Sequence, residues 1–306
     1  MNLFYLSFKN VVAKPLSSFL SVLLFGFGIS IIVLILLVSS HLKNEITKNA
    51  DGIDLVIGAK GSPMQLILAN IFQVDYPTGN ISLKESAELT RNRLIKEAIP
   101  MSLGDSYAGF RILGTTEKYL EHYNAEFVTG SWTGQTMEVV MGADAASFLE
   151  MEIGNQFEST HGLAETGADH EDHPFEVVGI LKRTGSVIDK LILVSIPSVW
   201  EVHGHEEQTG SSDSLVQIPH MGLEVDSEQY ENEEITAVLV KYSSTMALFL
   251  PNKINKNSNF QAASPANEIF RLFRLIGTGV ELATILGMVI IVISAVSVFI
   301  ALINSL

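Results

Sequence analysis

Residues 15–40 and 282–306 contain no charged side chain. The first run is built around SFLSVLLFGFGISIIVLILLV and the second around LATILGMVIIVISAVSVFIAL. Each exceeds the roughly 20 apolar residues that carry a helix across a bilayer. Backbone groups in hydrocarbon must be satisfied within the segment, so each run is expected to be a transmembrane helix, over 17–40 and 282–306. A buried core helix is the bland alternative. The first run is too long for the h-region of a cleaved signal, and SSHLKNE offers no small-x-small site, so it reads as a retained anchor. Lys9 and Lys14 flank it with no acid nearby, which keeps that end in the cytoplasm and puts 41–281 outside.

All 34 acids lie in residues 41–281 against 17 of the 19 Lys and Arg, a net charge of −17 there. Such a surface repels nucleic acid and suits cations or basic partners. The chain has no cysteine, which excludes a disulfide framework and a thiolate metal site. No Walker loop, GxSxG elbow or HExxH helix is present, and GAKGSP at 58–63 lacks phosphate-loop spacing. No catalytic or cofactor-binding residue is therefore assigned.

The middle section alternates helical and strand signals. Ser82, with Glu85 three residues on, opens a pattern that places Leu83, Ala87, Leu94 and Ala98 at helical spacing and predicts one amphipathic helix over 82–98. MEVVMG, FEVVGILK, KLILVSI and ITAVLVKYSS read as strands, so 41–263 is expected to be an α+β domain. Residues 158–174 and 201–234 read as long solvated loops. Ser264 and Pro265 open a further helix, with Ile269, Leu272, Phe273, Ile276 and Val280 three and four apart. It is expected to continue through 264–281 as a stalk into the second span; a break near Gly277 and Gly279 is the alternative. His41 to Ala50 extends the first helix in the same way. Ala283, Gly287, Ser297, Ala301 and Ser305, with Gly26 and Gly28 in the first span, form small-residue faces suited to close helix packing.

Several stretches resemble the FtsX-like and MacB-like permeases of ABC transporters, the type VII or mechanotransmission systems. FYLSFKNVVAKPLSSFLSVLLFGFGISIIVLILL looks like their N-terminal amphipathic segment, here 1–16, and first span. VVMGADAASFLEMEIGNQF looks like the strand, helix and turn of a MacB-like periplasmic core domain, and FEVVGILKRTGSVIDKLILVSI like the strand pair after it. The resemblance implies a multi-pass protein of the bacterial cytoplasmic (inner) membrane. Third and fourth spans are implied beyond Leu306. It further implies a non-enzymatic subunit that pairs as a homo- or heterodimer, works with a cytoplasmic ABC ATPase that binds the ATP, and serves a periplasmic adaptor or client.

A second reading starts from HGLAETGADHEDHP and WEVHGHEE. His170, His173, His203 and His205 supply four imidazoles among carboxylates, a donor set for zinc if the two loops meet, and would make the chain a membrane-anchored metal receptor. A purely structural anchor is the third. The metal reading predicts one-site zinc binding to the 41–281 domain by calorimetry at pH 7.5. His173→Ala and His205→Ala should each weaken it, and it should fade below about pH 6.5 as imidazoles protonate. Weak multi-site binding indifferent to both substitutions would remove the metal site.

Overall fold

The computed structural model describes residues 15–159, 174–202 and 215–303. The chain opens with α1 (Pro15–Ala50), β1 (Leu55–Ala59), α2 (Pro63–Asn70), β2 (Ile81–Ser82), α3 (Leu83–Thr90), β3 (Ile95–Tyr107) and β4 (Phe110–Thr115). Next come α4 (Glu117–His122), β5 (Phe127–Gly130), β6 (Glu138–Met141), α5 (Ala143–Leu149), β7 (Gln156–Phe157), β8 (Phe175–Leu181), β9 (Leu191–Ser195) and α6 (Ile196–Val202). It closes with β10 (Leu215–Ile218), β11 (Leu223–Asp226), α7 (Ser227–Asn232), β12 (Glu234–Ile235), β13 (Ala237–Tyr242), α8 (Leu250–Asn257), β14 (Phe260–Ala263) and α9 (Pro265–Ile303). Short 3-10 turns occupy Val187–Lys190 and Thr245–Phe249. Two compact units result: Met1–Thr47 with Ile269–Leu306, and Lys48–Glu268.

In the first unit the charge-free runs of α1 and α9 form helices long and apolar enough to cross a membrane. Most of their large side chains are exposed, among them Leu23, Phe27, Leu34, Leu286, Val292 and Phe299. The covered positions include Gly28, Ile32 and Ile35 on α1, and Gly287, Ile291 and Ser294 on α9. The two glycines mark the crossing. A Cβ at Gly28 would stand 2.8 Å from Ile291 Cγ1, and one at Gly287 would stand 2.7 Å from Ile32 Cγ1. The hydroxyls of Thr284 and Ser294 donate to Val280 O and Ile290 O on their own helix, both at 2.7 Å, so neither is left without a partner in an apolar setting. Gly277 and Gly279 sit inside unbroken helix with open space around them.

The second unit is an α+β domain on a mixed sheet. Among the described residues its strands run β14-β1-β13-β3-β4-β9-β6-β8-β5, with β7 on β8. The β4–β9 and β6–β8 pairs are parallel and the other pairs antiparallel. The central strands are apolar on both faces, which is why AVLV and LILV read as continuous runs. Leu55, Ile57, Val238 and Val240 face one core with Trp200. Val56, Leu239, Leu191 and Leu193 face a second with Ile99 and Tyr119, while Ile192 and Val194 turn to a third with Met141, Phe175 and Val177.

Two expectations are corrected. The helix expected over 82–98 ends at Thr90, and Ile95 opens β3. Ser82 does cap it, accepting from Glu85 N at 3.4 Å, but Asn92 turns the chain by accepting from Leu94 N at 3.0 Å. Beyond that turn, pairing of Ala98 with Val240 and Ile99 with Leu239 overrides the helical spacing. The loop expected over 201–234 holds, in its described part, the β10–β11 hairpin and α7. Asp226 and Gln229 close a reciprocal capping box there, the side chain of each bonded to the other's backbone N–H.

The helix crossing makes a direct prediction. Gly287→Leu forces Ile32 away and should cost about 1–3 kcal/mol, seen as a lower unfolding midpoint in detergent. Gly26→Leu, at a glycine with nothing within 4 Å, should leave that midpoint unchanged.

Candidate functional site: the root of the first helix

The last turn of α1, Lys48–Asn49–Ala50, belongs to the second unit. The helix stops because Gly52 turns the backbone at φ +76°, where a Cβ would press His122 Cε1 at 3.2 Å. From Lys48 the ammonium donates to Thr184 O at 2.7 Å and Gly185 O at 2.9 Å. Asn49 is held from two sides: its Oδ1 accepts from Val187 N at 2.8 Å, and its carbonyl from Tyr123 OH at 3.1 Å. The segment that grips them, 184–187, joins β8 to β9.

The gripping loop is itself held by an acid. Asp189 is only 2% exposed. Its Oδ1 accepts from Thr184 N at 2.9 Å and Thr184 Oγ1 at 2.8 Å, and its Oδ2 from Gly185 N at 2.7 Å. The carboxylate thus collects the loop's N–H groups and leaves two carbonyls turned to Lys48, a charge-assisted arrangement on both sides. Gly185 at φ +70° is required: a Cβ there would lie 3.0 Å from Lys48 Nζ. Flanking pairs, Lys182 with Glu126 and Arg183 with Asp144, are largely exposed on their basic partners and add little.

Below the grip, Tyr123 packs edge-on against Tyr119 and His122, with ring centroids 5.0 and 4.8 Å apart. Burial pushes both tyrosines far above their ordinary pKa, so both stay neutral, and Tyr123 is the one that donates to the root. Burial also holds the His122 imidazole below its usual value, against the pull of Glu97 and Asp51, and the neighbouring Lys241 adds to the lowering. It is neutral at neutral pH, and the stability that depends on this is present above about pH 6.5 and lost as pH falls.

The arrangement ties Lys48 and Asn49 to the loop between β8 and β9 within the second unit. His170, His173, His203 and His205 all lie outside the described residues, as do residues 1–14 of the N-terminal amphipathic segment. Among the described residues no group of three His, Cys, Asp or Glu is placed to hold a metal. Lys48, Asn49, Thr184 and Asp189 escaped the sequence reading, although one signal for them was there: an acid, beside Lys190, inside the mostly apolar SVIDKLILV.

Two apolar helices and an α+β domain rooted on the first of them define a membrane protein with an extracytoplasmic domain. The description "MacB-like periplasmic core domain" fits residues 18–247, three quarters of the chain. The chain belongs to that family, and is a MacB/FtsX-like ABC transporter permease. Among solved structures it is similar to the periplasmic region of MacB from Actinobacillus actinomycetemcomitans, at 13% identity and TM-score 0.43, over 74% of this chain and 97% of that one. It is similar also to the extracellular domain of the noncanonic ABC-type transporter YknZ from Gram-positive bacteria, at 13% identity and TM-score 0.41, over 69% and 99%. No curated protein sequence matches it.

Asp189→Asn keeps the shape of the loop anchor but turns an amide N–H₂ toward the N–H donors of Thr184 and Gly185. Unfolding of the purified protein should show a loss of about 2–4 kcal/mol, and Thr184→Ala a smaller loss of about 1 kcal/mol.

Proposed function

We propose that this permease couples ATP hydrolysis by a cytoplasmic ABC ATPase to conformational work, or export, on the outer side of the bacterial cytoplasmic membrane. The observation that carries the reading is the root of α1. One helix of 36 residues begins in the charge-free run and ends clasped by the loop between two strands of the extracytoplasmic domain. A helix transmits displacement along its axis because each turn is fixed to the next by i to i−4 hydrogen bonds. The segment 264–281 serves as the second stalk, since α9 runs unbroken from Pro265 to Ile303. The chain acts in a multi-pass dimer of permeases, homo- or heteromeric, with an adaptor or client engaging the outer domain. ATP belongs to the partner, as this sequence carries no nucleotide loop.

The test uses the complex of this chain with its co-purifying ATPase. Hydrogen exchange of the amides in 184–190 should change when ATP is added, and Lys48→Met should abolish that change while the partner retains ATP hydrolysis. Exchange in this loop that ignores nucleotide in the native complex, or a Lys48→Met complex that responds like the native one, would overturn the coupling route.

A further inference from the structure

Two acid-free segments meet within the second unit. Residues 235–267 contain no acid in 33 positions and hold Lys241, Lys253 and Lys256; residues 89–96 contain none and hold Arg91, Arg93 and Lys96. The flanking acids Glu88 and Glu97 lie by other groups, Lys84 and His122. Ile95 pairs with Tyr242, and Ser243 donates through its N to Leu94 O and through its Oγ to Arg93 O, both at 2.9 Å. Arg91, Arg93, Lys253 and Lys256 are exposed, without an ion-pair partner among the described residues.

Between the segments lies a groove of about 170 Å³. Leu250 and Ile254, one turn apart on α8 and nearly covered, form its floor; Leu89 and Ile95 form a wall, and Lys253 and Asn257 stand at its exposed rim. Both sides are fixed in place. On one, Asn255 clamps α8 to β14, its Nδ2 donating to Ala262 O at 3.0 Å and its Oδ1 accepting from Ala262 N at 2.7 Å, while Lys60 Nζ donates to Asn255 O at 2.7 Å. On the other, the Asn92 turn and the Ser243 bonds set the start of β3. Directly ahead of Leu250 three large apolar side chains stand in water: Met246 at 73% exposure, Leu248 at 70% and Phe249 at 52%. Leaving them there forgoes the free energy of burial, which marks a surface made to be covered.

We infer that this groove docks a segment of a protein partner in which one Phe, Leu or Met is flanked by Asp or Glu. Shape selects the apolar residue: a cavity of about 150 Å³ lined by aliphatic side chains takes a benzene ring, so this groove takes one large side chain, whereas a lipid headgroup surface is flat and offers no such projection. An apolar anchor in a pocket, ringed by Met, aromatic and Arg side chains, is the make-up of a protein–protein contact. Charge selects the flanking acids. With a net charge of −17 over 41–281 the domain as a whole repels an acidic segment, and the four unpaired cations around the groove give it one face that attracts. The same face of a second copy is disfavoured, because two sets of cations would oppose each other. The inference rests on the reading that a partner engages the outer domain and not on coupling to an ATPase; its test uses no nucleotide, so its failure leaves the exchange test at 184–190 standing.

The full-length protein in phosphatidylcholine nanodiscs is panned against a displayed library of random peptides, with empty nanodiscs as the counter-selection. Enriched peptides should carry a Phe, Leu or Met with acids on both sides. The leading peptide, labelled and free in solution, should lose affinity at least about tenfold between about 0.05 and 0.5 M salt, and at least about tenfold when its apolar residue is changed to Ala. Arg93→Glu combined with Lys253→Glu should abolish binding, and the milder Lys253→Gln should weaken it about threefold. Lys182→Glu changes the net charge as Lys253→Glu does but sits on the far side of the sheet order, beyond β8, and should leave binding unchanged. No enrichment over empty nanodiscs, enriched peptides without acids, or binding indifferent to the double substitution would overturn the docking site. So would displacement of the peptide by phosphatidylglycerol vesicles as readily as by unlabelled peptide, which would give the face to lipid, or self-association that the double substitution abolishes, which would give it to a second copy.

Discussion

The extracytoplasmic domain depends on one uninterrupted strand. Residues 95–101 of β3 pair with β13, and 102–107 pair with β4, so a single length of backbone is the common edge of two half-sheets. The changeover is fixed locally: Thr236 N donates to Met101 O at 2.8 Å, and Thr236 Oγ1 accepts from Leu103 N at 2.9 Å. A register slip of one residue in β3 would exchange Ala98 and Ile99 between opposite cores and do the same to every partner on both sides. Close packing at Gly114, where a Cβ would meet Val199 Cγ2 at 2.6 Å, pins β4 against α6 and leaves no room for such a slip.

The helices outside that sheet obey a different rule. In α1 and α9 most large apolar side chains face outward and the covered stripe is centred on Gly28 and Gly287, the reverse of a soluble helix pair, because in lipid the outward face has no reason to be polar. Close backbone approach at Gly28 and Gly287 then supplies the dispersion contact that the hydrophobic effect cannot supply between two helices in hydrocarbon.

Much of this was legible in the sequence and some was not, for separable reasons. Length and lack of charge sufficed for the two membrane helices, and the β-branched runs at 138–141, 175–181, 191–195 and 237–242 announced their strands. The strand over 95–107 was hidden because Leu94 and Ala98 happen to continue the helical spacing of 83–87, and only pairing with β13 decides between the two readings. The capping box at Asp226 and Gln229 was visible as D-x-x-Q but was masked by the acidic composition around it. The helix root could not be read at all from motifs. Lys48 and the 184–185 carbonyls are 136 and 137 residues apart, and carbonyl acceptors leave no trace in side-chain identity.

Main-chain acceptors also shape how such a protein drifts over generations. A grip made of main-chain oxygens puts its chemical requirement on one partner only. Residue 48 must present a long cation, whereas the residues whose carbonyls receive it are restrained indirectly, Gly185 by its backbone angle and the proximity of the ammonium, and Thr184 by its bonds to Asp189. Substitutions at the two ends need not compensate one another. The junction would therefore be nearly silent to any method that seeks paired changes between positions, although it joins the helix to the domain.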